Sequence, residues 1–126
     1  MILLQKHKAA SRCKINGWLS ANPDNREPAF LQVGVSILTS DVFGSLPDAA
    51  NIVYFAMCAE SGKNREFRFS RGIERKYGFK DERRYYRGVE ALIAAGFIER
   101  IEEPGAAQYA PTKFRFSFVW KGIKPK

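Results

Sequence analysis

The stretch from Asp81 to Gly96 constrains the fold more than any other part of the chain. Asp81 is a residue type that caps helix N-termini, Glu82 is favoured by the positive end of the helix dipole, and Ala95-Gly96 announces the stop. With Lys80 set at zero and about 100° of turn per residue, Arg83, Arg84 and Arg87 fall within about 60° of it, while Tyr85, Val89, Leu92 and Ile93 cluster near the opposite side. A helix with these two faces must bury one against neighbouring elements. It leaves the other to solvent or to an anionic partner.

The neighbouring segments supply what the apolar face needs. Upstream, Glu66-Phe67-Arg68-Phe69 alternates as one short strand, and Ser70 stands where a capping hydroxyl starts a second, shorter helix ending at Tyr77-Gly78, with Phe79 in the turn. Before that, Ser45-Leu46-Pro47-Asp48 reads as a helix start: a serine that can cap, a proline tolerated in the first turn and an acid suited to the dipole. This helix is expected to reach about Glu60. It carries Ala49, Ile52, Val53, Ala56, Met57 and Ala59 at three- and four-residue spacing, with Gly62 as its C-terminal cap. From Phe30 to Leu38 the alternation of Leu31, Val33, Val35 and Ile37 with Gln32, Gly34 and Ser36 has the period of a half-buried strand, whose last residues can turn into a short helix. Residues 1–27 have no clean period and run into a cluster of turn formers, Ala21 to Pro28, as a loop or arm does. Downstream, Phe97 to Ile101 starts a strand and Pro104-Gly105 breaks it. Phe114, Phe116, Phe118 and Trp120 then alternate with Lys113, Arg115, Ser117 and Lys121 on a return strand.

A short helix joined through a Gly-containing turn to a longer one is a helix-turn-helix, and a following hairpin makes it winged. The expected class is therefore α+β: a winged helix-turn-helix over residues 28–126, with a three-helix core, a β-hairpin wing and the N-terminal strand, preceded by a basic arm, residues 1–27. The third helix is the one that would enter a major groove, where the arginine fork suits both phosphates and the paired acceptors of guanine. Lys80, Arg83, Arg84 and Arg87 are the candidate contacts there. Arg71, with Arg75 and Lys76 on the second helix, is placed to position the domain on phosphates, and Lys113, Arg115 and Lys121 on the return strand to touch backbone phosphate. The presumed hairpin tip, Glu102 to Gln108, has no basic residue with which to grip phosphate. The aromatic ladder interleaved with Lys and Arg also matches single-strand binders that stack bases, but one aromatic side of a strand under three helices is ordinarily core.

Charge supports an anionic partner and shows where it would sit. The chain has 21 Lys and Arg against 13 Asp and Glu, a net charge of +8, and residues 63–88 hold ten of those cations and four of the acids, a local excess of +6. A signal peptide and a membrane span are not expected, because Met1 to Leu4 is too short an apolar run and no segment approaches the ~18–20 residues a span needs, so a cytoplasmic protein is expected. One histidine, His7, and two cysteines leave no material for His-based triads or zinc sites. There is also no glycine-rich phosphate loop, so no cofactor and no metal are expected. Cys58 reads as a small core residue. Glu99, Glu102 and Glu103 have no partner base, and the chain is expected not to be an enzyme.

Phe30-Leu31-Gln32-Val33, Leu46 to Ala59, Phe67-Arg68-Phe69-Ser70, Lys76-Tyr77-Gly78-Phe79, Tyr86-Arg87, Ala95-Gly96-Phe97-Ile98, and Pro111 to Ser117 with Trp120 follow one another in a telling order. Over roughly Pro28 to Lys121 the chain resembles the winged-helix domain of bacterial plasmid replication initiators and related proteins of integrative mobile elements. The resemblance implies sequence-specific or structure-selective binding of double-stranded DNA in replication, transfer or regulation of such an element. Its recognition-helix positions fall on Arg83, Arg84 and Arg87, with Tyr86 beside them. Such initiators usually continue into a further domain, which these residues lack, so the expectation is a small DNA-binding accessory protein or regulator. Replication or conjugation proteins are the other partners it implies, and the alternative is a protein-interaction adaptor that uses a winged helix without touching DNA. Gly88 stands where Ala is common and costs an exposed helix about 1 kcal/mol unless something packs closely against it.

Overall fold

A computed structural model describes residues 13–69, 71–102 and 112–122. The chain divides into two compact units, Met1–Leu31 and Gln32–Lys126, a few residues beyond the Glu27-Pro28 boundary that the turn formers suggest. In the first unit, β1 (Cys13–Lys14) pairs antiparallel with β2 (Arg26–Glu27). Asn25 takes a left-handed φ of 60°, a conformation Asn tolerates, and its carbonyl accepts from the Ile15 N–H at 2.8 Å. The Asn22 amide donates to the Arg26 carbonyl at 2.7 Å and to the Glu27 carboxylate at 2.9 Å, tying the connecting loop to β2. A single 3-10 turn, Gly17–Leu19, carries an exposed Trp18.

The second unit begins with a correction. No strand forms over Phe30 to Leu38; residues 29–34 are irregular and α1 (Val35–Leu38) is a single helical turn. Period-two alternation makes a strand only when one side is buried and an edge is free to pair with it. Here Leu31 and Val35 are exposed, and of the four alternating residues Ile37 packs against the core. Local hydrogen bonds favour turns instead. The Ser40 hydroxyl donates to the Ile37 carbonyl at 2.7 Å and accepts from the Phe43 N–H at 3.2 Å, capping α2 (Asp41–Gly44).

The central helix, α3 (Asp48–Ser61), follows Pro47, whose carbonyl accepts from the Ala50 N–H at 2.9 Å. Ser45 does not cap it. Its hydroxyl donates back to the Val42 carbonyl at 3.0 Å and so closes α2. Gly62 ends α3 in the left-handed conformation, as the sequence led us to expect. The buried residues Ala49, Ala50, Val53, Tyr54, Ala56 and Met57 wrap more than one side of α3, because it packs on both the longest other helix and the sheet. Ile52, assigned to the core face from its spacing, is exposed.

Next come β3 (Glu66–Phe69), α4 (Arg71–Lys76), α5 (Glu82–Ala95), β4 (Ile98–Ile101) and β5 (Thr112–Phe116). The strands form one antiparallel sheet in the order β3-β5-β4, with Phe67 opposite Phe114 and Ile98 opposite Phe116. Phe67, Phe69, Phe114 and Ile98 alternate into a core shared with Phe43, Tyr54, Phe79, Tyr85 and Phe97. Ser70, expected to cap α4, and the hairpin tip through Gln108 lie outside the described residues, apart from Glu102.

The return strand is shorter than its alternation suggests. It stops at Phe116, where the phase inverts: Ser117 is 6% exposed and Phe118 is 41% exposed. The Ser117 N–H donates to the Phe97 carbonyl at 2.9 Å, and its hydroxyl accepts from the Val119 N–H at 3.2 Å, which folds Val119–Lys121 into a 3-10 turn. The turn lays the Trp120 ring on Phe97, with centroids 4.8 Å apart and planes 13° apart. The ladder is thus half core and half turn. Phe114 and Phe116 pack against Phe67, and Phe118 faces out.

Candidate nucleic-acid interface

Three features fix the arginine-bearing helix in place. First, α4 and the turn after it are clamped to α3: the Tyr77 hydroxyl donates to Glu60 Oε2, and Lys76 Nζ lies 2.9 Å from the same oxygen. The Tyr77 hydrogen bond and then Lys76 hold the Glu60 carboxyl below its ordinary range, while burial and Glu60 push the Tyr77 phenol up to about 12. Gly78, at a φ of 88°, then makes the turn a left-handed step that side-chain-bearing residues resist. Second, Asp81 Oδ1 accepts from the Arg83 N–H at 2.9 Å, the N-cap expected from sequence. Its charge is thereby partly committed to the helix terminus.

Third, α5 lies unusually close to α3 at Gly88. A Cβ there would sit 2.9 Å from the Ala49 carbonyl oxygen and 3.0 Å from a Val53 methyl, so a glycine is needed for the two helices to approach this far. That supplies the close packing needed to offset its poor helix propensity. Tyr85, Val89 and Leu92 are buried on the same face, with the Tyr85 ring stacked on Phe69 at 5.9 Å and meeting Phe79 edge-on at 6.0 Å.

The outer face of α5 presents Arg83, Arg84, Tyr86 and Arg87, all exposed, with Lys80 exposed just before the helix. None of the three arginines makes an ion pair among the described residues. The Arg84 guanidinium lies 5.6 Å from the centroid of the buried Phe79 ring, a cation–π contact that orients it without neutralising it. No Lys or Arg follows Arg87 on α5, and farther along the helix Glu90 pairs with Arg100 of β4 at 2.7 Å.

The other candidates are placed differently. Lys113 Nζ is 3.2 Å from Glu66, and Arg115 Nε is 2.6 Å from Glu99 while a second nitrogen lies 3.7 Å from Glu66. The register causes this, setting Arg115 directly between Glu66 on one neighbour and Glu99 on the other. Both cations are therefore engaged within the sheet and are separate from the α5 face. Lys76 is likewise paired, with Glu60. Arg71 opens α4, and its side chain lies outside the described residues. The sequence did not reveal Phe79 as a shelf for Arg84 or Glu60 as an anchor for α4, because both depend on contacts between distant segments.

Among the described residues no cluster of His, Cys, Asp and Glu could hold a metal ion, and no helix is long and apolar enough to cross a membrane. Burial pushes the Cys58 thiol up to about 11, far from a reactive thiolate at neutral pH. In comparisons with known proteins, no family model matches the chain, and neither does any curated protein or solved structure.

Proposed function

We propose that residues 32–126 form a winged helix-turn-helix domain that binds double-stranded DNA, with α5 as the helix that enters the major groove. The observation that carries this reading is the set of exposed arginines 83, 84 and 87, without an ion pair among the described residues, on a helix braced from behind by Gly88, Tyr85 and Phe79, whereas Arg100, Lys113 and Arg115 of the sheet are paired. The element order α3-β3-α4-α5-β4-β5 and the strand order β3-β5-β4 support the winged arrangement, since the strand between the first two helices joins the hairpin on its β5 side. Arg83, Arg84 and Arg87 supply base-edge or phosphate contacts, Lys80 and Tyr86 flank them, and Arg71 is the further candidate on α4. Lys113 and Arg115 brace the sheet. The resemblance to plasmid replication initiators supports a role in replication, transfer or regulation of a mobile element.

The test is selection of bound sequences from a pool of random duplexes, followed by affinity measurements against salt. The double variant Arg84→Ala/Arg87→Ala is expected to bind several-fold more weakly. Its log affinity should fall less steeply with log salt, by about 0.9 for each phosphate it no longer neutralises. An absence of duplex binding at low salt, or a double variant that binds like the parent, refutes the reading and leaves the adaptor role.

A further inference from the structure

A second basic surface lies at the other end of α5 and has different chemistry. Phe118 is pushed outward by the phase inversion at Ser117, and two cations gather on its ring: the Arg65 guanidinium carbon at 4.7 Å from the centroid and Lys121 Nζ at 5.6 Å. Lys121 also lies 5.7 Å from the Trp120 ring. Arg65 Nε donates to the Phe116 carbonyl at 3.0 Å, which tethers the guanidinium, and its other N–H groups make no hydrogen bond among the described residues. Arg65 and Lys121 make no ion pair among the described residues, whereas Lys113, Arg115 and Arg100 of the same sheet all pair with carboxylates. A tethered guanidinium beside an exposed ring, with no carboxylate on it among the described residues, is poorly explained by packing alone.

We infer that Phe118, Arg65 and Lys121 form a site for unpaired nucleotides of single-stranded nucleic acid, with a base stacked on the Phe118–Arg65 surface and the adjoining phosphate on Lys121. Both contacts are needed for that ligand: the ring and the guanidinium plane offer a base the stacking surfaces that single-strand binders use, and the cations track the backbone. An acidic peptide would need the cations but gain little from the ring. The site is separate from the arginine face. Trp120 N–H donates to the carbonyl of Gly96, the residue that ends α5, and Gly96 is about 20 Å along the helix axis from Arg83 at 1.5 Å per residue. The inference does not rest on duplex binding.

Fluorescence anisotropy of the full chain with labelled oligo-dT and oligo-U of about 12 nucleotides tests it, with a duplex of random sequence and a polyglutamate competitor as the other arms. Phe118→Leu, which keeps an apolar side chain and removes the π face, is expected to weaken single-strand binding by about five-fold or more, the effect of losing one stacked base. Lys121→Ala is expected to weaken it and flatten its salt dependence, while duplex binding changes by less than about two-fold in both variants. Comparison of oligo-dT with oligo-U distinguishes DNA from RNA as the strand. Phe118→Leu binding the oligonucleotides as tightly as the parent overturns the inference. Equal weakening on duplex and single strand, or polyglutamate competing as well as the oligonucleotide, overturns it too.

Discussion

Replacing Gly88 by alanine sets two known quantities against each other. In an exposed helix the change is worth about 1 kcal/mol in favour of alanine, through a lower entropy cost. At this position the new methyl would lie 2.9 Å from the Ala49 carbonyl oxygen, 3.0 Å from the carbonyl carbon and 3.0 Å from a Val53 methyl. Overpacking of a tight interface costs about 1–3 kcal/mol. Two of the three opposing atoms are backbone of α3 and can move only with that helix, so the upper part of this range applies. The difference is a net destabilisation of about 1–2 kcal/mol, or a melting temperature lower by roughly 3–10 °C for a domain of this size. Urea denaturation of parent and variant at 25 °C, compared at equal slope, measures it directly, with Arg87→Ala on the outward face as a control expected within about 0.5 kcal/mol of the parent. A Gly88→Ala protein as stable as the parent, or more stable, refutes the close approach of α3 and α5.

Other outcomes follow from the same contacts. Tyr77→Phe removes the hydroxyl from Glu60 and is expected to cost about 1 kcal/mol, readable as a shifted urea midpoint. Because the folded Glu60 carboxyl is held below its ordinary 4.5, its contribution is fully present above that pH and lost as pH falls through the lowered folded value. Glu60→Gln should therefore flatten the acid limb of the stability profile, and an unchanged limb counts against the clamp. Native protein is expected to expose one fast-reacting thiol, Cys13, with Cys58 reacting only in denaturant, as counted by a chromogenic disulfide reagent. Lys113→Ala is expected to change duplex affinity by less than about two-fold, since that lysine is already paired with Glu66; a weakening as large as that of Arg87→Ala would mean the sheet contacts phosphate after all.

The parts legible in the sequence are those governed by local chemistry. Asp81 as a cap, Gly62 and Gly96 as left-handed stops and the two faces of α5 all follow from residue type and spacing within one helix. The errors lie where a distant partner decides. The alternation of Leu31 to Ile37 carries no information about whether a sheet edge awaits it, and Ser45 looks like a cap until Val42 is seen to hold it. Lys113 and Arg115 look available until the register brings Glu66 and Glu99 beside them. The four-aromatic ladder ends at Ser117, whose N–H donates to the Phe97 carbonyl across the hairpin while its hydroxyl accepts from the Val119 N–H and starts a turn.

The cations of α5 are Arg83, Arg84 and Arg87, which lie within about one turn of helix and make no ion pair among the described residues. Four residues rise about 6 Å, and with base pairs stacked about 3.4 Å apart this spans roughly two of them. Two fully specified base pairs occur by chance about once in every sixteen positions of a random duplex, so α5 alone would carry about four bits of address. A protein that must find one locus among millions needs several times that amount. On the duplex-binding reading, α5 serves as one short word of a longer message, completed by a neighbouring copy, by the shape of the DNA or by a strand already opened.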